Sequence, residues 1–230
     1  TRPDVYCDSI SFTSISAAGN AVWLSGTGVR QYQVDAEGAV RMGSVSDGRV
    51  FVSDAVTAAM RNIVTSTRRN HVIERDLATL TQRSRDAEEA LRGTLSAQTL
   101  SRYGTASELQ HEPGTENSLA RQLRTVARMI DAGKSLGVKH QVFFVSMGGF
   151  DTHGNQTLLQ PNLLARVAHG LHYFDTTLGR MSTSTSGTSG DNLRAGVTTF
   201  TASDFGRALI SNGDGTDHGL KDDAARGRIE

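Results

Sequence analysis

The sequence predicts an α/β fold in which a mostly parallel sheet carries helices on both faces. Helical and strand-like segments alternate in the second half of the chain, over residues 117–133, 140–145, 158–180 and 196–201. The two strand-like segments are short and apolar, as expected of parallel strands buried between helices. A strand, a helix and a second strand in succession form a right-handed crossover, which places both strands parallel in one sheet.

The helices of this half carry their own start and stop signals. Asn117 can cap the first helix, in which apolar residues recur at spacings of four, three and four, and Gly133 and Gly137 lie where that helix should end. Pro161 fits the first turn of the second helix, because a residue there needs no N–H group for the helix ladder. The apolar residues of the second helix form one stripe: Leu164, Val167, Leu171, Phe174 and Leu178.

The first half predicts small strands followed by a helical segment. From Asp8 to Met42 the chain is rich in Ser, Thr, Val and Ile and is broken by glycine-containing turns, which predicts one or two hairpins. Ser53 precedes a helix start, and a charged stretch from Arg68 to about Leu95 has apolar residues near helical spacing. Residues 96–115 show no clear period and are expected to form a surface loop. We therefore expect one domain over residues 1–230, in which residues 53–115 form a helical insertion or cover.

Composition excludes several classes of function. Lysine plus arginine and aspartate plus glutamate each total 24 in 230 residues, so no net charge attracts the chain to nucleic acid. No apolar run approaches the length of a membrane span, and the first residues, Thr1 to Asp4, lack the regions of a signal peptide. The single cysteine, Cys7, excludes an internal disulfide framework and a cysteine-based zinc cluster.

Two loops carry the residues that could perform chemistry. Ligand and catalytic groups collect beyond the carboxyl ends of parallel strands, and the loops after the two apolar strands both hold aspartate and histidine. The first loop offers Asp151 and His153, which would point to the same side of an extended chain and could share one ion. The second loop offers Asp204 and then the adjacent pair Asp217 and His218, whose side chains would point apart and could serve two neighbouring ions.

The remaining histidines are interpreted as ordinary structural residues. His169 and His172 lie three apart on a predicted helix, a spacing that could bind metal, but no acidic partner pattern joins them. His71, His111 and His140 stand alone and are expected at the surface or at a strand edge. The metal hypothesis therefore depends on the two loops.

Three motifs together resemble those of a bacterial family named only as domain of unknown function fifteen hundred and one. They are Gly148-Gly-Phe-Asp-Thr-His153, Thr199-Phe-Thr-Ala-Ser-Asp-Phe-Gly-Arg207 and Asn212-Gly-Asp-Gly-Thr-Asp-His-Gly219, within a resemblance from Ser9 to Gly219. This family is similar to the alkaline phosphatase and sulfatase superfamily, so the resemblance implies an alkaline-phosphatase-like sheet. It also implies export by the twin-arginine route and a periplasmic or secreted location.

The resemblance implies a metal role for the residues singled out above. Asp151 with His153 and Asp217 with His218 match the superfamily's ligand pairs, whereas Asp204 stands where relatives often have glutamate. Two departures matter: the early strand that supplies the superfamily's nucleophile does not precede Asp8, and no histidine follows the Asp-His-Gly motif. Either the chain is a degenerate member, or further sequence belongs before its N-terminus and after Gly219.

We expect an exported metal-dependent hydrolase that acts on a small phosphate or sulfate ester. Two divalent ions would be bound by Asp151, His153, Asp204, Asp217 and His218, and zinc, calcium, magnesium and manganese all suit carboxylate and imidazole ligands. Arg207 would clamp an anionic substrate oxygen, with pairing to a nearby carboxylate as the alternative. The catalytic nucleophile is not assigned. The alternative function is a non-catalytic periplasmic or surface binding protein that retains the fold.

Overall fold

The computed structural model describes residues 12–26, 29, 31–35, 49–66, 71–152, 154–183 and 193–203. Contacts divide the chain into two compact units, one of Thr1–Thr99 with Arg124–Val145 and one of Leu100–Leu123 with Ser146–Glu230. The single domain over residues 1–230, with its helical insertion or cover, stays a prediction. Among the described residues, no helix has the length and apolar character that a membrane crossing requires.

The described residues form a mixed structure of short strands and longer helices. The strands are β1 (Ser14–Ser16), β2 (Tyr32–Gln33), β3 (Gln110–Glu112), β4 (Thr115–Glu116) and β5 (Val142–Phe144). The α-helices are α1 (Asp54–Val64), α2 (Val72–Ser96), α3 (Ser118–Ser135), α4 (Gln156–Thr183) and α5 (Leu193–Gly196). Short 3-10 helices lie at Val22–Leu24, Leu100–Tyr103 and Ser107–Leu109.

A small parallel sheet forms the strand layer of the first unit. Its order is β2-β1-β5, and Ile15 of the central strand pairs with both Tyr32 and Phe143. The predicted parallel strand over residues 140–145 is thus confirmed, although Val142 is 56% exposed and the strand is less buried than expected. The predicted hairpin of the N-terminal region is wrong for β1 and β2, because a hairpin requires antiparallel strands.

The connection between β1 and β2 explains this difference. The Gln31 side chain accepts a hydrogen bond from the Ala21 N–H and donates one to the Gly19 carbonyl, at 2.8 and 2.9 Å. A 3-10 helix follows directly at Val22–Leu24. The glycine-containing turn therefore leads into a longer connection that brings β2 back beside β1 in the same direction, where sequence alone suggested a tight reversal.

The core of the first unit joins this sheet to helix α2 and to the last part of α3. Phe12 packs edge-on against Tyr32, with ring centroids 5.4 Å apart. The helix predicted over the charged stretch is confirmed as α2, and its second half supplies the apolar contacts. The buried cluster consists of Phe12, Ile15, Val34, Ala87, Leu91, Leu95, Met129 and Ala132.

The second unit buries residues that were expected in a surface loop. Tyr103 is fully buried, and its carbonyl accepts a hydrogen bond from the hydroxyl of Tyr173 on α4. Gly104 has a positive φ of 95°, and a Cβ there would lie 2.9 Å from the Tyr173 ring. The surface-loop prediction for residues 96–115 is therefore wrong at the buried residues Tyr103, Gly104 and Leu109 and at strand β3, whereas most other residues of this segment are exposed. A glycine lets this aperiodic segment turn tightly against a helix.

The start of helix α4 and the segment that follows α4 both differ from the prediction. The helix begins at Gln156, so Pro161 lies inside it and not in its first turn. The predicted strand over residues 196–201 is wrong, since α5 ends at Gly196 and residues 197–203 have no regular secondary structure. Phe200 is 86% exposed. β-Branched residues favour a strand only where neighbouring strands and a buried face are present.

Candidate metal site

One of the predicted metal ligands lies in the described part of the chain. Asp151 is an exposed residue in the loop 146–155, which follows β5 and leads into α4. The other predicted ligands and the predicted substrate clamp lie outside the described residues: His153, Asp204, Arg207, Asp217 and His218. Their convergence with Asp151 stays a prediction.

The start of this loop is held by a side chain of α3. The Gln122 Nε2 donates to the Ser146 carbonyl at 2.8 Å, and the Gln122 Oε1 accepts from the Ser146 N–H at 2.9 Å. One amide group thus satisfies both backbone groups of one residue, as the next strand of a sheet would do. We call this pair of bonds the Gln122 clamp.

The middle of the loop turns around Asp151. The Thr152 N–H donates to the Phe150 carbonyl at 3.0 Å, which closes a three-residue turn with Asp151 at its centre. Thr152 is 6% exposed, whereas Asp151 faces solvent. The turn therefore leaves Asp151 exposed while the next residue is buried. This geometry differs from the extended chain on which the shared ion of Asp151 and His153 was predicted.

Two positive-φ residues let the chain approach α4 and enter it. Gly149 has a φ of 96°, and a Cβ there would lie 3.3 Å from the side chain of Leu163. Asn155 has a φ of 56°, and its carbonyl accepts hydrogen bonds from the N–H groups of Leu158 and Leu159, both at 3.0 Å. The loop thus ends on the first turn of α4, where the helix dipole favours negative charge.

The described part of the loop offers a hard oxygen donor in an ordered setting. A carboxylate suits calcium, magnesium, manganese and zinc. Within residues 12–203, gaps excepted, no three His, Cys, Asp or Glu side chains form a group that could hold a metal ion. Four of the five predicted ligands are outside the described residues, so Asp151 would need them to complete a site.

The Gln122 clamp was not predicted from the sequence. Gln122 lies five residues after the helix cap, among polar residues that a helical pattern assigns to the solvent side. Its partner is 24 residues away along the chain. A side chain that bonds to backbone at that separation leaves no periodic signal.

Comparison with known proteins identifies the family. Residues 16–221 match the family described as Protein of unknown function (DUF1501). This range contains Asp151 and every other residue of the predicted site. No curated protein and no solved structure matches the chain significantly. Since the match spans far more than half of the 230 residues, the chain belongs to the family Protein of unknown function (DUF1501).

Proposed function

We propose that this chain is an exported metal-dependent hydrolase of a phosphate or sulfate ester. Asp151, His153, Asp204, Asp217 and His218 would bind two divalent ions, in an alkaline-phosphatase-like fold. The observation that carries the proposal is the placement of Asp151 at the centre of a closed turn, in a loop that directly follows a parallel strand. Family membership supports it, because the three motifs occur together in the matched range.

The order of the loop supports a binding role for Asp151. Fixing one residue of a flexible chain costs roughly 1–2 kcal/mol in conformational entropy. The Gln122 clamp, the Phe150–Thr152 bond and the carbonyl of Asn155 fix the start, middle and end of the loop before any ligand binds. A ligand that needs Asp151 therefore does not have to order the turn Phe150–Thr152 that holds it.

Each residue of the proposed site has a distinct task. Asp151 and His153 would bind one ion, and the adjacent Asp217 and His218 would contribute to different ions because neighbouring side chains diverge. Asp204 would add a further carboxylate. Arg207 would orient an anionic oxygen of the ester through charge-assisted hydrogen bonds. When bound, the ions would stabilise negative charge on the ester oxygens.

Metal content and ester hydrolysis test the proposal separately. We expect the purified protein to retain divalent metal after dialysis and the double variant His153→Ala, His218→Ala to lose it. Asp151→Asn should weaken retention, whereas Asp76→Asn, on the exposed first part of α2, should not. Equal metal content in the wild-type protein and the double variant, measured by elemental analysis, would overturn the site.

Hydrolysis distinguishes the enzyme from the binding protein. The metal-loaded protein should release nitrophenol from p-nitrophenyl phosphate or p-nitrophenyl sulfate, and Asp151→Asn should reduce that rate. Metal retention without hydrolysis of either ester would favour the alternative of a non-catalytic binding protein. The Asp76→Asn control reports any general effect of removing a surface carboxylate.

A further inference from the structure

A cluster of polar side chains in the second unit joins the start of α3, strand β3 and helix α4. Asn117 donates through Nδ2 to the Arg166 carbonyl at 2.7 Å and bonds with Nδ1 of His169 at 3.1 Å. Arg166 in turn donates through Nε to Nε2 of His111 at 3.1 Å. We call these four side chains the histidine latch.

The protonation state of His169 follows from the orientation of the Asn117 amide. The Asn117 Oδ1 accepts a hydrogen bond from the Leu119 N–H at 3.1 Å, so the other end of the amide is its NH₂ group. An NH₂ group can only donate. The Nδ1 atom of His169 must therefore be an acceptor, which requires a neutral ring with its proton on Nε2.

His111 is constrained in the same way by Arg166. A guanidinium has no acceptor atom and stays charged in proteins, so its Nε–H can only donate. The Nε2 atom of His111 must therefore carry a lone pair, and a neutral His111 holds its proton on Nδ1. That Nδ1 atom is buried and has no hydrogen-bond partner among the described residues. Each latch imidazole thus faces a group that can only donate.

The surroundings of His169 also oppose a positive charge. Burial lowers the pKa of His169, and the nearby imidazoles of His111 and His172 lower it further. The carboxylates of the β3–β4 pair are engaged elsewhere, one with an asparagine of α4 and one with an arginine of α3. The charged and titratable groups on β3, on β4, on the first five residues of α3 and within one helical turn of His169 on α4 are His111, Glu112, Glu116, Arg121, Arg166, His172 and Tyr173.

We propose that the histidine latch is an acid-sensitive switch that releases the start of α3 and strand β3 from α4. A proton from solvent would take the lone pair of His169 Nδ1 and place an N–H group against the NH₂ group of Asn117. This proton replaces a hydrogen bond by a repulsive contact between two donors. This inference does not depend on the proposed hydrolase function.

Asn117 makes the switch consequential, because it is 1% exposed and caps α3. Its N–H also donates to the Leu109 carbonyl at 2.8 Å, and its carbonyl accepts the Arg121 N–H at 3.1 Å. A displaced Asn117 would loosen the 3-10 turn before β3 and the first turn of α3 together. Protonation of one ring therefore affects the segment 109–121.

The direction of the pH effect follows from proton linkage. An unfolded histidine has a pKa of about 6.5, and the pKa of His169 in the folded protein is lower. As the pH falls below the unfolded pKa of about 6.5, the open segment therefore binds more protons than the closed segment. The latch should be fully stabilising above about pH 6.5 and should be lost as the pH falls through the lower folded pKa of His169.

Hydrogen exchange on the full chain tests the latch. Amide protection of residues 109–121, corrected for the intrinsic exchange rate, should fall about fivefold between about pH 7.5 and about pH 5, which corresponds to the net loss of one hydrogen bond. His169→Asn places an oxygen where Nδ1 lies, and this oxygen cannot be protonated in that range. Its protection should not change with pH.

A neighbouring histidine provides the matched control. His172→Asn changes an exposed imidazole on the same helix that takes no part in the latch bonds. It should still lose protection in acid, with a midpoint at a slightly higher pH, because the His172 imidazole lowers the pKa of His169. The proposal is overturned if wild-type protein and His169→Asn respond equally to acid. It is also overturned if His172→Asn alone abolishes the response.

Two NMR measurements read the protonation state directly and do not depend on how stable a variant is. Long-range ¹H–¹⁵N spectra of the wild-type protein at neutral pH should show His169 with its proton on Nε2. In Asn117→Asp a carboxylate faces Nδ1 and favours a protonated ring. The pKa of His169 should therefore be higher in this variant than in the wild-type protein. A wild-type proton on Nδ1, or a lower pKa of His169 in Asn117→Asp, would refute the latch.

Discussion

Removal of the Gln122 clamp should destabilise the loop that carries Asp151. Gln122→Ala deletes two hydrogen bonds, of 2.8 and 2.9 Å, each worth about 1 kcal/mol net. Ser146 is exposed, so water replaces part of what is lost. We expect a decrease of about 1–2 kcal/mol in the free energy of unfolding, measured by chemical denaturation.

The same change should weaken metal binding if Asp151 is a ligand. If the loop must be ordered when metal binds, the free energy of ordering is subtracted from the binding free energy. A cost of 1–2 kcal/mol then raises the dissociation constant roughly fivefold to thirtyfold. Titration calorimetry with the metal that the wild-type protein retains measures this directly. Unchanged stability and unchanged affinity in Gln122→Ala would show that the clamp does not order the loop.

A nearly isosteric variant separates the hydrogen bonds from the shape of the side chain. Gln122→Glu keeps an oxygen that can accept from the Ser146 N–H, but its second oxygen faces the Ser146 carbonyl and repels it. At neutral pH this variant should be at least as unstable as Gln122→Ala. Acid should partly restore it, because a protonated carboxyl regains a donor. A stability difference from wild type that is independent of pH would contradict this reasoning.

Three further predictions concern the contact of Gly170 with Leu119, the carboxylate of Glu108 and the adjacent pair Asp217 and His218. A Cβ on Gly170 would lie 3.0 Å from Leu119 Cδ2, so Gly170→Ala should destabilise wild type by about 1 kcal/mol yet stabilise the Leu119→Ala background by a similar amount; additive effects in denaturation would refute the close packing. The Thr105 N–H and then Arg180 hold the pKa of Glu108 below its ordinary value, so the stability advantage over Glu108→Gln should be present above about pH 4.5 and vanish as the pH falls through the folded pKa; an advantage that grows in acid would contradict this sign. Asp217→Asn should weaken the binding of one metal ion much more than that of the other. Two equal sites of wild-type affinity in a metal titration would show that Asp217 and His218 do not bind different ions.

Local sequence signals determined most of the helical structure. The cap at Ser53 was predicted from one residue and its neighbours, and its side chain does accept the Val56 N–H. The Asn117 cap and the helix over the charged stretch were predicted in the same way and are present as α3 and α2. Helix periodicity and capping depend on residues within about four positions of each other, so they can be read from a short window.

Strand pairing and the latch were decided by tertiary structure. The direction of β2 relative to β1 and the absence of a strand at residues 196–201 depend on which segments find a partner, and a short window of sequence does not contain that information. Asn117 bonds with His169 across 52 residues, and Gln122 holds Ser146 across 24. The sequence alone therefore predicted the helices and indicated Asp151 as a candidate ligand. The tertiary structure alone decided which side chains order its loop, because hydrogen bonds over such separations impose no periodic pattern on the chain.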